Sequence, residues 1–209
     1  MKAETSPNKE YYLPNKMGRI FMLSHEEMLG KNGLTALLKI AGLSGWIGEL
    51  PENNYERGFS FTTTAKICEA LGRLYGPNAG SGLALRSGHA AFKYGLQEFA
   101  PLLGLSELNF RLLPLQMKIE QAMEALTSLY ADYSDQIVRL ERTEDAFLWH
   151  IDRCPYCWGL HSSSPCCSHV VGICQEAMHW ISGGKYFDVE ETSCTAAGDR
   201  ACTITIHMP

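Results

Sequence analysis

Four thiols stand within residues 154 to 167, CPYCWGLHSSSPCC, and Cys174, Cys194 and Cys202 follow before the C-terminus. Only Cys68 lies upstream of this group among the 8 cysteines. Thiols so clustered can bind a metal, cycle electrons or pair as disulfides. The polar N-terminus MKAETSPNKE has no apolar signal-peptide core, and no window is apolar for long enough to span a bilayer. A cytoplasmic location is therefore expected, and in a reducing compartment clustered thiols point to metal ligation or redox chemistry before disulfides. Cys154-x-x-Cys157 has familiar ligand spacing, and Cys166-Cys167 leads straight into a predicted helix whose positive end favours thiolates.

A carboxylate joins this group by pattern. In the predicted strand Tyr186 to Glu191, Phe187, Val189 and Glu191 share a face; in Ala201 to His207, Cys202, Ile204 and Ile206 do. If the apolar faces look inward, so does Glu191, and an inward carboxylate costs several kcal/mol unless something pairs with it. Folding the connection about Ala196-Ala197 sets Glu191 opposite Cys202, whereas folding about Gly198-Asp199 brings Cys194 near Cys202. Either register crowds a carboxylate and two thiols together, a donor set that zinc accepts, with a further ligand expected from the cysteine-rich segment. Cys174, on the apolar stripe of a helix, reads as core packing.

The elements that must position these groups fall into two parts. Residues 1–20 read as an N-terminal extension and 21–209 as one domain, helical in front (21–134) and cysteine-rich with sheet behind (135–209). Ser24-His25-Glu26-Glu27 reads as a capping box opening a helix, with Gly30 and Gly33 as possible breaks. A second helix is predicted over Thr64 to Tyr75, ending at Gly76-Pro77. Another is predicted over GSGLALRSGHAAFKYGL, where Gly82, Gly88 and Gly95 suggest close backbone packing or bends. Leu115 to Tyr133 is amphipathic, Gln136 to Glu141 and Ala146 to Asp152 form a hairpin about Arg142 to Asp145, and His169 to Ser182 is helical.

Composition narrows the function. With 45% apolar residues in 209, one core is the default, and a net charge of −5 without a basic stripe argues against nucleic acid and anionic membranes. No dinucleotide fingerprint, phosphate-cradling Gly-Lys-Ser/Thr loop or His-Glu-x-x-His is present. The seven histidines (residues 25, 89, 150, 161, 169, 179 and 207) are scattered and read as surface or core groups, with His150 and His161 near the thiols in sequence. Phe92, Tyr94, Phe99, Phe147, Trp149, Trp158 and Trp180 are available as pocket walls, although each alone reads as core.

The run from Cys154 to Ile206 contains Cys-Pro-x-Cys, a Pro-x-Cys with glycine five residues on (Cys167 to Gly172), Gly183-Gly184, Val-Glu-Glu-Thr-x-Cys, Ala-x-Gly-Asp and Cys-x-Ile-x-Ile. It resembles the 4-vinyl reductase (4VR) domain family. That resemblance implies an α+β domain, an antiparallel four-stranded or similar sheet packed against helices, related to the TRAPP vesicle-tethering subunits and commonly a homodimer. It also implies a structural zinc on Cys167, Glu191, Cys194 and Cys202, with Glu190 as the alternative acid. Cys154, Cys157 and Cys166 are alternates that leave an all-thiolate site or an iron–sulfur cluster open. The expected function is binding of a small hydrophobic, aromatic or tetrapyrrole-like molecule as a sensor or carrier. A reductase or electron-transfer component of tetrapyrrole metabolism and a ligand-free assembly subunit are the alternatives.

Overall fold

The computed structural model describes residues 9–103 and 108–208. A short strand β1 (Tyr12–Pro14) runs directly into the long helix α1 (Asn15–Ile40), and β1 pairs antiparallel with β2 (Arg57–Ser60). Two helices follow, α2 (Phe61–Tyr75) and α3 (Pro77–Phe99), then a short α4 (Leu108–Leu112) and the amphipathic α5 (Leu115–Tyr133). The second half is β3 (Val138–Arg142), β4 (Ala146–Ile151), α6 (Ser168–Ile181), β5 (Val189–Ser193) and β6 (Cys202–His207). These last four strands form one antiparallel sheet in the order β3-β4-β6-β5. An α+β architecture with an antiparallel four-stranded sheet packed against helices is thus the fold.

Local chemistry explains most boundaries. Ser60 caps α2, its hydroxyl accepting from the Thr63 N–H at 3.0 Å. Gly76 sits at φ 82°, where a side chain would be strained, and Pro77 opens α3 because its missing N–H is not needed there. Helix α5 occupies the predicted span, and both hairpin strands and α6 fall within two residues of prediction.

Two expectations about the front part change. The helix read as starting at Ser24 begins at Asn15; Ser24 is fully buried and its hydroxyl donates to the Phe21 carbonyl at 2.8 Å instead of capping. The capping-box pattern was present, but Met17, Ile20 and Phe21 continue the buried face upstream, and that burial decides. Gly30 does break the helix, with φ 68° and ψ 168°. Of the stretch read as an extension, residues 12–20 belong to β1 and α1, with Leu13 and Met17 buried; residues 1–8 lie outside the described residues. Residues 57–60, ahead of the predicted second helix, form β2, which pairing with β1 stabilises.

Helices α3 and α6 cross with their backbones in contact. A Cβ on Gly88 would lie 2.0 Å from the His169 carbonyl, and one on Gly172 would lie 2.0 Å from the Leu85 carbonyl. Gly88 is therefore the close-approach glycine of the predicted set, whereas Gly82 faces open space. Beneath the helices, Phe147, Trp149 and Ile151 of β4, Ile204 and Ile206 of β6 and Val189 of β5 are buried. The opposite face of β6 is buried as well, and Thr203 and Thr205 satisfy their hydroxyls there on Ser193 and Thr192 at 2.8 and 2.9 Å.

Candidate metal centre and adjoining cavity

Three pieces of backbone converge on the thiols: the 154–167 segment, the N-terminus of α6 and the β5–β6 connection. The segment is anchored by Arg153, whose guanidinium lies 3.8 Å from the Tyr11 ring centroid and donates to the Asp135 carbonyl at 2.8 Å. It then turns through Cys154-Pro155-Tyr156-Cys157, with the Leu160 N–H on the Cys157 carbonyl at 3.0 Å and Gly159 at φ 72°. The β5–β6 connection folds through a 3₁₀ turn at Thr195–Ala197 and left-handed Gly198. Asp199 holds this turn by accepting from the Cys194 N–H at 2.8 Å.

The register of this hairpin follows the second alternative, which brings Cys194 near Cys202. Glu191 lies opposite Ile204, not Cys202, and the ladder then slips, so that Ser193 lies opposite Thr203. The slip brings Cys194 Sγ to 3.8 Å from Cys202 Sγ. Glu191 still points inward with Val189, while Glu190 is exposed on the other face, 3.3 Å from His207.

Glu191 and the candidate thiols reach the same place, whereas the alternative acid Glu190 does not. Cys167 Sγ is 3.6 Å from Cys154, 3.9 Å from Cys194 and 3.8 Å from Cys202; Cys157 Sγ is 3.4 Å from Cys202. Ligand atoms of Cys167, Glu191, Cys194 and Cys202 lie within 4.8 Å of one another, and so do those of Cys154, Cys157, Cys167 and Cys202. Cys166 Sγ is half-buried at 3.8 Å from Cys194 and belongs to neither group. Cys174 and Cys68 stand outside both sets. His150 instead meets Thr203 and Glu141 at 3.0 and 3.1 Å, and His161 is exposed.

The electrostatics explain what such a group lacks. Glu191 Oε2 accepts from the Cys167 N–H at the start of α6 at 2.6 Å, while its Oε1 is buried with no partner among the described residues. Burial, then the nearby Cys194, pushes the Glu191 carboxyl up to about 8. Burial pushes the Cys154 thiol up to about 11, and hydrogen bonds from the surrounding sulfurs hold Cys194 low. Hydrogen bonding within the cluster lowers Cys166 as well, while Cys157, Cys167 and Cys202 are raised. A divalent ion would let the neighbours ionise and would occupy the free Glu191 oxygen.

Next to the thiols lies a partly open apolar cavity between four helices. Its walls come from α1 (Met17, Phe21), α3 (Phe92, Phe99), α5 (Met123, Tyr130) and α6 (Ile173, Ala177). Two wall residues belong to the thiol-bearing backbone: Tyr156, inside the Cys154–Cys157 turn, and His169, two residues after Cys167. Of the aromatic wall candidates, Phe92, Phe99 and Trp180 line the cavity, whereas Tyr94, Phe147, Trp149 and Trp158 do not.

Sequence reasoning missed a polar cluster behind this wall. Ser87 Oγ lies 2.9 Å from His169 Nδ1 and 3.3 Å from His25 Nε2, and the two imidazoles stack at 5.3 Å. Burial lowers both histidines, His25 to about 4, so both rings are neutral near pH 7. The three residues come from α1, α3 and α6, so no local spacing signals their meeting.

No family model and no curated protein matches this chain. Among solved structures, the fold is similar to one described as modulating heme redox potential through protein-induced porphyrin distortion, at 13% identity and TM-score 0.55 over 94% of this chain and 100% of that one. It is also similar to the Fe(II) unliganded H-NOX protein from K. algicida, at 14% and 0.54 over 93% and 96%. A third is the H-NOX protein from S. oneidensis in the Fe(II)NO state, at 12% and 0.53 over 91% and 98%. At these identities the likeness is one of fold.

Proposed function

We propose that the chain binds a small, uncharged, largely apolar molecule in the cavity between α1, α3, α5 and α6 and acts as its sensor or carrier, with a structural zinc beside the pocket. The observation that carries this reading is the cavity itself. It is walled almost entirely by apolar side chains, and its few polar groups are Tyr130, Tyr156, Trp180 and His169. The zinc reading rests on Cys167, Glu191, Cys194 and Cys202. Zinc with bonds of about 2.3 Å to sulfur spaces its thiolates about 3.8 Å apart, and the three sulfurs here stand 3.8 to 3.9 Å apart. With four protein ligands such a centre has no open position and serves structure. A four-iron cluster would set its thiolates on separate irons, farther apart than the contacts found here. Tyr156 and His169 give a sensor its coupling, because a ligand touching them presses on both metal-bearing turns. Homodimerisation, which the 4VR resemblance implies, belongs to the same reading.

One of the fold-similar structures is described with heme and the other two with Fe(II), which makes heme the second ligand to weigh. His169 offers a neutral imidazole, but its ring is packed by Phe21, His25 and Tyr156 at 4.8 to 5.3 Å between ring centroids. Heme also carries two carboxylates, and no Lys or Arg is among the described residues lining the cavity. These residues do not fit heme.

The test is a titration of purified protein with the neutral fluorescent probe N-phenyl-1-naphthylamine and, separately, with hemin. Saturable binding of one probe per chain is expected, weakened at least tenfold by Ala177→Phe, which fills the cavity. Hemin should give no absorption band of a histidine-ligated iron. Absence of probe binding, or a hemin band abolished by His169→Ala, would overturn the reading.

A further inference from the structure

The two ligand groups are not alternatives for one ion. They share Cys167 and Cys202, whose sulfurs stand 3.8 Å apart, and each adds its own pair to that common edge. One pair is Glu191 and Cys194. The other is Cys154 and Cys157, with Cys154 3.6 Å from Cys167 and Cys157 3.4 Å from Cys202. Both pairs have the same i, i+3 spacing, so each is delivered by one tight piece of backbone.

We infer that the chain holds two divalent metal ions side by side, bridged by the thiolates of Cys167 and Cys202, with Glu191 and Cys194 completing one tetrahedron and Cys154 and Cys157 the other. This inference rests on the zinc reading above and adds the second ion.

The packing supports the pair. A single ion in the Glu191 group would leave Cys154 and Cys157, both at most 2% exposed, as two further buried sulfurs in direct contact with the shared pair. With two divalent ions, the six negative charges of five thiolates and one carboxylate fall to minus two. The remaining charge meets donors already in place: the Thr195 N–H points at Cys202 Sγ from 3.3 Å, and the Thr195 hydroxyl lies 3.4 Å from Cys202 and 3.1 Å from Cys157. The bridge also has a mechanical consequence. Cys154 and Cys157 flank the cavity residue Tyr156, so the second ion ties the pocket wall to α6 and to β6.

Full-length protein loaded with Zn²⁺ under anaerobic conditions should contain two zinc ions per chain by elemental analysis and by native mass spectrometry. The Cys154→Ser/Cys157→Ser variant should contain one. A Co²⁺ titration of the wild type should show thiolate-to-cobalt absorption rising to two equivalents, and this measurement decides alone if the variant fails to fold. One ion in wild type and variant alike overturns the second site and leaves the first; no ion in either overturns both. Two irons accompanied by acid-labile sulfide would overturn the thiolate bridges.

Discussion

Gly88→Ala is the sharpest test of the architecture that holds the site. The added Cβ would fall 2.0 Å from the His169 carbonyl and 2.9 Å from the Ile173 nitrogen, both backbone atoms of α6 that cannot rotate away. Relief therefore requires α3 and α6 to separate by about 1 Å or more, a gap that forfeits a quarter to a half of each contact's attraction along the crossing. Overpacking of this kind costs about 1–3 kcal/mol and sometimes more, while alanine's better helix propensity returns up to about 1 kcal/mol. A net loss of about 2 kcal/mol lowers the Tm of a chain this size by roughly 4–8 °C. Gly82→Ala is the internal control: it lies in the same helix with nothing within 4 Å of the new Cβ, and it should leave stability unchanged or raise it by up to about 1 kcal/mol. Both variants are to be compared by thermal and urea unfolding of the metal-loaded protein. Equal stability of Gly88→Ala and Gly82→Ala would refute the backbone contact between α3 and α6, and with it the placement of Cys167 and His169.

Cys194→Ala and Cys202→Ala should each release metal and lower the Tm by on the order of 10 °C, from a loss of about 3–5 kcal/mol. Cys68→Ala and Cys174→Ala should leave metal content unchanged in the same elemental analysis, since neither sulfur belongs to a ligand group. Because burial lowers His25 from 6.5 to about 4, the unfolded chain binds the extra proton between those values. The stability that neutral His25 contributes is complete above pH 6.5, and up to about 3 kcal/mol of it is lost as the pH falls toward 4. His169 on α6 titrates in the same direction, and Ser87 on α3 is uncharged. His25→Asn should flatten the fall in unfolding free energy over that window; an unchanged slope would remove His25 as its source.

How much of this was legible depends on range. Helix α5 could be read because its apolar residues repeat at helical spacing over nineteen positions, and hairpin β3–β4 because the period changes to two on either side of a polar turn. The inward face of Glu191 follows from strand alternation with Val189. Helix α1 was misplaced at its start because a local capping signal at Ser24 competes with burial of residues upstream, and burial depends on partners elsewhere in the chain. The slip in β5 escaped the pattern because a bulge is set by how both arms pack, and it sets Cys194 beside Cys202 while Glu191 stays opposite Ile204.

The sequence by itself determined the donors: which thiols cluster, which acid turns inward, and the matching spacing of Cys154-x-x-Cys157 and Glu191-x-x-Cys194. These are properties of neighbours along the chain, where alternation and turn chemistry operate. Only the tertiary structure decided that the donors form two groups sharing Cys167 and Cys202, that an apolar cavity opens against Tyr156 and His169, and that His25, Ser87 and His169 meet. Each of those depends on distances between elements far apart in the chain, fixed by packing such as the contact of Gly88 with α6, and no local spacing encodes them.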